Sequence, residues 1–286
     1  MLAPVTAHTE DELDAFGEWE RAAWEQRAAP YAASLGDATR GSMEALLDAA
    51  RVGAGTRVLD VGAGPGFVAR AALDRGADVV AVDQSEAMVR LARAAGVDAR
   101  AASVQALPFP DGGFEAVVGG YLLNHLARPE QAVAELARVL APGGRLALTV
   151  WDVPDANPAL GLFGPVVTDL GLRGVVPPGP DSQRFSAEPP LRALLAGWGD
   201  VRLERPRWTV SVEPGRWFDA VADSTPRTGA VLAQASAEQR AAARERYVAI
   251  ARARYGAGDG RVLLPAGAVL VSGVRRATAP DSPLRR

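Results

Sequence analysis

The chain has no cysteine and no lysine. The first absence removes disulfides, thiol nucleophiles and thiolate metal sites together. The only imidazoles are His8 and His125, so a zinc site would need an unusual set of carboxylates, and no metal is expected. The second absence means that all 31 basic residues are arginine. Isoleucine occurs once (Ile250) and asparagine twice (Asn124, Asn157). Lysine, isoleucine and asparagine have AT-rich codons, so this is the bias of a GC-rich genome. It accounts for the arginines without phosphate recognition. Long apolar runs are lacking too: nothing approaches the roughly 18 residues that span a bilayer. The acidic opening stretch MLAPVTAHTEDELDAF has no basic-then-apolar leader, so a cytoplasmic protein without a membrane partner is expected. A net charge of −3 gives no footprint for nucleic acid.

What remains is enough for a sizeable core: 48% of 286 residues are hydrophobic, which fits one large domain or a domain with a small cap. Residues 11–35 show helical spacing at Leu13, Phe16, Trp19, Ala23 and Trp24, with Pro30 expected to end or kink the segment. A second helix is expected over 40–51. Strands at 57–61, 78–82, 98–102, 114–119 and 145–151 then alternate with helices at 66–75, 85–95 and 129–140. The strands are mostly apolar runs, and such alternation argues for a parallel sheet covered on both faces. Past Asp152 the pattern breaks into a stretch rich in proline and glycine, 153–190, the length of a lid or insertion. Regularity returns with a helix at 190–195, a strand near 201–212, a helix at 237–255 and a strand at 268–274. The expectation is one domain over 1–276, with a helical lid (1–51), a ligand-binding core (52–152), a cap (153–190) and a C-terminal part of the sheet (191–276). Residues 277–286 form a tail.

Two motifs carry chemistry. In Val58-Leu-Asp-Val-Gly-Ala-Gly-Pro-Gly66 a strand enters a glycine-rich turn and then a helix. Such a turn lets backbone approach a ligand and offers the amides of a helix start. A dinucleotide fingerprint would place its third glycine at position 67, which is Phe. In the second motif, Val79-Val-Ala-Val-Asp83, a strand ends on a carboxylate about 20 residues after the first glycine, where a ribose-binding acid belongs.

The pattern Gly62-x-Gly64-x-Gly66 after Asp60 resembles the first motif of class I S-adenosylmethionine-dependent methyltransferases. The stretch Leu-Pro-Phe-Pro-Asp-Gly-Gly-Phe-Glu-Ala-Val-Val within 102–118 narrows the resemblance to the group containing the ubiquinone- and menaquinone-biosynthesis enzymes. Leu123-Asn-His-Leu126 and Glu135-Leu-Ala-Arg-Val-Leu-Ala-Pro-Gly-Gly144 point the same way. The resemblance covers about residues 40–152. It implies a Rossmann-like, doubly wound, mostly parallel seven-stranded α/β sheet that binds S-adenosylmethionine and releases S-adenosylhomocysteine. It also implies that Asp60, Gly62, Ala63, Gly64 and Gly66 surround the methionine part, and that Asp83 holds the ribose. Gln84 and Met88 would flank the adenine, Ser103 and Val104 would face its edge, and Gly119, Gly120 and Tyr121 would meet the amino group. Tyr31 and Arg40 are candidates for the cofactor carboxylate. Ser103 stands where many relatives have Asp, and Glu115 also replaces the usual Asp.

Methyl transfer needs alignment and a dry pocket more than acid–base help, because the sulfonium already carries its leaving group. A base is required only for a protonated acceptor. His125 is the one plausible imidazole, with a pocket-shaping role favoured over a base. Tyr121, Asp152 and Glu188 are further candidates. Trp19, Trp24, Trp151, Phe163, Phe185 and Trp217 lie outside the core sheet and suit an apolar or aromatic small-molecule substrate. O- or C-methylation in specialised metabolism by a monomer or homodimer is the leading reading. A second keeps the cofactor but performs a non-methylating reaction such as cyclisation. A third, an NAD-dependent oxidoreductase, is disfavoured by the glycine spacing.

Overall fold

The computed structural model describes residues 8–276. Eight strands appear in chain order: β1 Arg57–Val61, β2 Asp78–Asp83, β3 Asp98–Ala101, β4 Phe114–Gly120, β5 Leu140–Trp151, β6 Gly199–Glu204, β7 Arg207–Val212 and β8 Val262–Val274. Seven of them form the central sheet in the order β3-β2-β1-β4-β5-β8-β6. The first five are mutually parallel, and β8 runs antiparallel to both β5 and β6. The expected doubly wound architecture is therefore present. Strand order reverses between β1 and β4, so the loops that leave their C-terminal ends part and open a crevice.

Local chemistry explains most boundaries. Four of the five β1 residues are fully shielded, as a strand between two helical layers requires. Ser85 starts the helix Glu86–Ala94 by accepting the Met88 amide on its hydroxyl at 3.2 Å. The N-terminal helix Glu10–Ser34 opens with a capping box of Thr9 and Glu12. It does not end at Pro30. A proline removes one amide from the ladder, while packing of this helix against Glu86–Ala94 and Pro214–Ser224 holds the turn in place.

One expected strand, 201–212, is two. Arg205 and Pro206 interrupt it, and a proline cannot donate to a ladder. Downstream, β8 is longer than expected: its second half, from Ala268, pairs β5, while residues 262–267 pair β7 as a ribbon beyond the sheet.

The buried apolar residues fall into three clusters. Two cover the faces of the sheet, around Leu59, Val117 and Leu148 and around Val58, Ala81 and Ala116. The third lies outside it: the helix Phe163–Asp169, the helix Pro214–Ser224, the helix Ala237–Tyr255 and the β7–β8 ribbon bury Phe163, Trp217, Phe218 and Tyr247 together. Each such side chain contributes about 1.5–3 kcal/mol of burial. This third core packs against Trp151 at the C-terminal end of β5. No helix among the described residues is long and apolar enough to cross a membrane.

Candidate functional site

The loop after β1 is shaped by backbone. Gly62 and Gly64 have φ of +63° and +55°, values that a side chain makes strained. A Cβ on Gly62 would also sit 2.7 Å from Cδ1 of Leu122. The helix Phe67–Asp74 begins directly after Gly66. Across the crevice, Asp83 ends β2 and ties the loop in place. Its Oδ2 accepts the Gly64 amide at 2.8 Å and its Oδ1 the Ser85 amide at 2.9 Å. Each oxygen keeps a further acceptor site, which is what two ribose hydroxyls need. Burial pushes the Asp83 carboxyl up and the nearby Glu25 charge adds to it, against the opposing Ser85 and Gly64 amides.

Asp60 is fully buried. Its Oδ2 accepts the Ala69 amide at 2.9 Å, while Oδ1 has no partner. Burial pushes this carboxyl up to about 8. The orphaned oxygen lies in a small recess with Tyr31, Gly62, Gly120 and Tyr121. A donor cation there, such as the ammonium of a methionine moiety, would satisfy it. The residues thus fit S-adenosylmethionine.

Tyr121 follows β4 at φ +57°, rare for a residue with a large side chain. Its amide donates to the Thr149 carbonyl at 2.9 Å and its hydroxyl lies 2.7 Å from Ser42 Oγ. Its ring stacks on Trp151 at 4.0 Å. Burial pushes the Tyr121 hydroxyl up, and pushes that of Tyr31 to about 12. Neither phenol is poised as a base.

The recess adjoins a cavity of about 450 Å³, within the range of small-molecule sites. Gly62, Asp83, Gln84, Val104, Gly120 and Tyr121 line one part of it; Trp24, His125, Trp151, Asp152, Phe163 and Arg227 line the rest. Asp152 is no free base. Arg205 holds one of its oxygens at 2.6 Å and Arg207 the other at 2.5 Å. Burial alone would raise its carboxyl, but Arg205, the Val153 amide and Arg207 outweigh that and lower it. Glu188 pairs with Arg192 on the surface at 2.5 Å.

Several expected residues sit elsewhere. Trp19 stacks on Phe16, Phe185 belongs to a sheet-face core, and Trp217 is buried in the third core with its Nε1 donating to the Ala159 carbonyl at 2.8 Å. None of the three lines the cavity: the Phe185 and Trp217 rings are spent on joining elements, and Trp19 meets Phe16 of its own helix. Ser103 accepts the Gln105 amide at 3.2 Å and is not part of the wall, whereas neighbouring Ala102 and Val104 are. Arg40 is exposed, with its guanidinium 5.1 Å from the Phe67 ring centroid. Gly119 is packed beneath Leu148 and Val61, and Met88 is buried beside the loop near Gly64.

Sequence reading missed Glu20. It is fully buried on the N-terminal helix, and its Oε2 lies 3.0 Å from Nδ1 of His125. Trp24 meets the same imidazole edge-on at 5.1 Å. The available signal was Glu20, Ala23, Trp24 and Arg27 at helical spacing, an acid among residues that face inward.

The methyltransferase-domain family profile matches residues 59–148, the span from β1 to β5. The chain is 37% identical over 170 residues to the demethylmenaquinone methyltransferase of Thermus thermophilus, covering 52% of this chain and 76% of that one. The chain belongs to the class I S-adenosylmethionine-dependent methyltransferases. It falls in the menaquinone- and ubiquinone-type group of that family, and S-adenosylmethionine is its cofactor. Against the demethylmenaquinone methyltransferase of Renibacterium salmoninarum the identity is 36% over 139 residues, covering 48% of this methyltransferase and 57% of the relative. The fold matches that of the YcgJ protein of Bacillus subtilis, with a TM-score of 0.52 at 22% identity over 84% of this chain and all of the other.

Proposed function

We propose that this methyltransferase moves the methyl group of S-adenosylmethionine to an oxygen or carbon of a small, largely apolar aromatic acceptor in the cytoplasm. The supporting observation is the single cavity in which the Gly62–Asp83–Gly120 wall meets the Trp24–Trp151–Phe163 wall. Bound there, the cofactor supplies an electrophilic methyl on a sulfonium. Asp83 would hold its ribose, Asp60 its ammonium side, and Gln84 with Val104 its adenine. Stacked Tyr121 and Trp151 would keep water from the methyl and align a flat acceptor. The names of the curated relatives favour a quinol-type ring, and an aromatic wall is equally suited to other specialised metabolites.

The test is incubation with methyl-labelled S-adenosylmethionine and a panel of naphthols, naphthalenediols and hydroxynaphthoates, read by product mass. Gain of one methyl on at least one acceptor is expected. Tight S-adenosylhomocysteine binding with no methyl gain on any of them would sink the proposal.

A further inference from the structure

Beside the part of the cavity away from the glycine loop lies a set of buried, unpaired polar atoms. Glu20 Oε1 is buried without a hydrogen bond and lies 3.5 Å from Nη2 of Arg227. Nε and Nη2 of Arg227 are buried with no acceptor of their own. Asn157, 2% exposed, presents an unpartnered Oδ1. His125, Asn157 and Arg227 all line the cavity. Folded proteins leave few buried polar groups unsatisfied, and these come from three separate segments. A purely structural ion pair would close its own hydrogen bonds. This one leaves buried donors and acceptors unpaired directly behind residues that line a cavity.

The imidazole geometry is equally specific. A carboxylate only accepts, so Glu20 fixes the proton of neutral His125 on Nδ1 and leaves Nε2 as the basic atom. No described residue hydrogen-bonds Nε2.

Resting on the methyl-transfer reading above, we propose that Glu20, His125 and Arg227 form one acceptor-recognition unit. Its ligand is an aromatic hydroxyl flanked by a carboxylate or carbonyl oxygen. His125 Nε2 takes the hydroxyl proton while the oxygen's electron pair forms the new O–CH3 bond. The C–S bond breaks and its pair stays on sulfur, giving S-adenosylhomocysteine. The imidazolium left behind is paired to Glu20. Arg227, held from behind by Glu20, receives the flanking oxygen on the part of its guanidinium that lines the cavity. Glu20 is a positioning residue, which holds the base and the guanidinium on opposite oxygens of one carboxylate.

Two measurements on the full-length protein with S-adenosylhomocysteine test this, and neither needs turnover. With only two histidines, the His125 ring is readily assigned by nitrogen-15 NMR against a His8→Gln control. Its neutral form is expected to carry the proton on Nδ1, and Glu20→Gln to shift it toward the Nε2–H form. A wild-type ring protonated on Nε2, or a ring unchanged in Glu20→Gln, overturns the positioning role. The second measurement compares binding of 1-hydroxy-2-naphthoate and 1-naphthol by fluorescence. The carboxylate probe should bind about tenfold tighter, a preference that Arg227→Gln abolishes and Arg227→Lys partly keeps. A preference that survives Arg227→Gln, or no binding of either probe, overturns the recognition role. If both measurements come out as expected and no acceptor of the panel gains a methyl group, the transfer reading and the base role of His125 fall, while the positioning role of Glu20 and the recognition role of Arg227 stand.

Discussion

Between Gly62 and Gly120 the cavity wall is carried by strand ends and the loops that leave them: Gly62 after β1, Asp83 and Gln84 at the end of β2, Val104 after β3 and Gly120 at the end of β4. From Trp24 to Arg227 it is built of side chains carried by the N-terminal helix, the end of β5, the cap and the segment 225–228. The first wall is local in sequence and is covered by the family match at 59–148. The second draws on residues about 200 positions apart and gains its shape from the third core. A nucleoside site of this kind is held by the sheet itself. The second wall is held mainly by helices outside the sheet, with Trp151 at the end of β5 as its link to it.

That separation can be broken at its support. Phe163→Ala removes a ring that stacks on Phe218 at 5.3 Å and meets Tyr247 at 4.6 Å, at 3% exposure. It should cost about 3–5 kcal/mol of stability in thermal unfolding, while S-adenosylhomocysteine affinity at low temperature stays near wild type. A matching loss of cofactor affinity would mean that the two walls are one unit. Asp83→Ala attacks the other side. It removes two backbone ties and the proposed ribose contacts, so calorimetry should show affinity for S-adenosylhomocysteine about 100-fold weaker, with far less effect on unfolding. Affinity within a few-fold of wild type would remove Asp83 from the ribose role.

The same division explains what could be read from the sequence. The glycine spacing, Asp83 and the strand–helix alternation report local backbone geometry, and they were legible because period and spacing encode it. Pro30 misled because tertiary packing overrides a local breaker. The β6–β7 split was hidden because the alternating pattern runs on across Arg205-Pro206, and the first half of β8 because Pro265 and Gly267 interrupt it locally. Of the six aromatics expected in the acceptor site, Trp24, Trp151 and Phe163 line it and Trp19, Phe185 and Trp217 do not. Composition says that a ring is outside the sheet but cannot say which way it turns. Glu20 had only its helical spacing to mark it and Arg227 had nothing: where every basic residue is arginine, a single pairing has no compositional mark.

Protonation sharpens the contrast. Asp60, pushed up to about 8 by burial, is largely protonated at neutral pH without ligand. If the cofactor ammonium pairs with its charged form, binding must release a proton, and affinity should strengthen by up to about tenfold per unit as pH rises toward 8. Calorimetry in two buffers of different ionisation enthalpy reads this directly, and a buffer-independent enthalpy refutes it. Asp152 behaves oppositely. Its carboxyl is lowered in the folded state, so its ion pairs contribute fully above the unfolded value of about 3.9 and the contribution is lost as pH falls through the lower folded value. Asp152→Asn should therefore destabilise by about 1 kcal/mol at neutral pH, modest because both arginines are 43% exposed, and by less in acid. Turnover should survive, since the carboxylate is already occupied. Loss of turnover without loss of stability would restore it as a candidate base.

The smallest expected effect tests the comparison where it is least obvious. Ser103 occupies a position at which many relatives carry an acid, and a hydroxyl there looks like a weakened adenine contact. Its oxygen instead accepts the Gln105 amide at 3.2 Å and turns the chain after β3, while Ala102 and Val104 supply the cavity wall on either side. The adenine edge would then meet the main chain beside Ala102 and Val104, the part of this stretch that lines the cavity. Ser103→Ala should change S-adenosylhomocysteine affinity by no more than about twofold, because only an exposed turn contact is lost. Ser103→Asp discriminates further. If main chain serves the adenine, the added carboxylate gains little, since the Gln105 amide captures it. A rise in affinity of about tenfold would instead show that the position still points at the nucleobase and that the serine is a true loss.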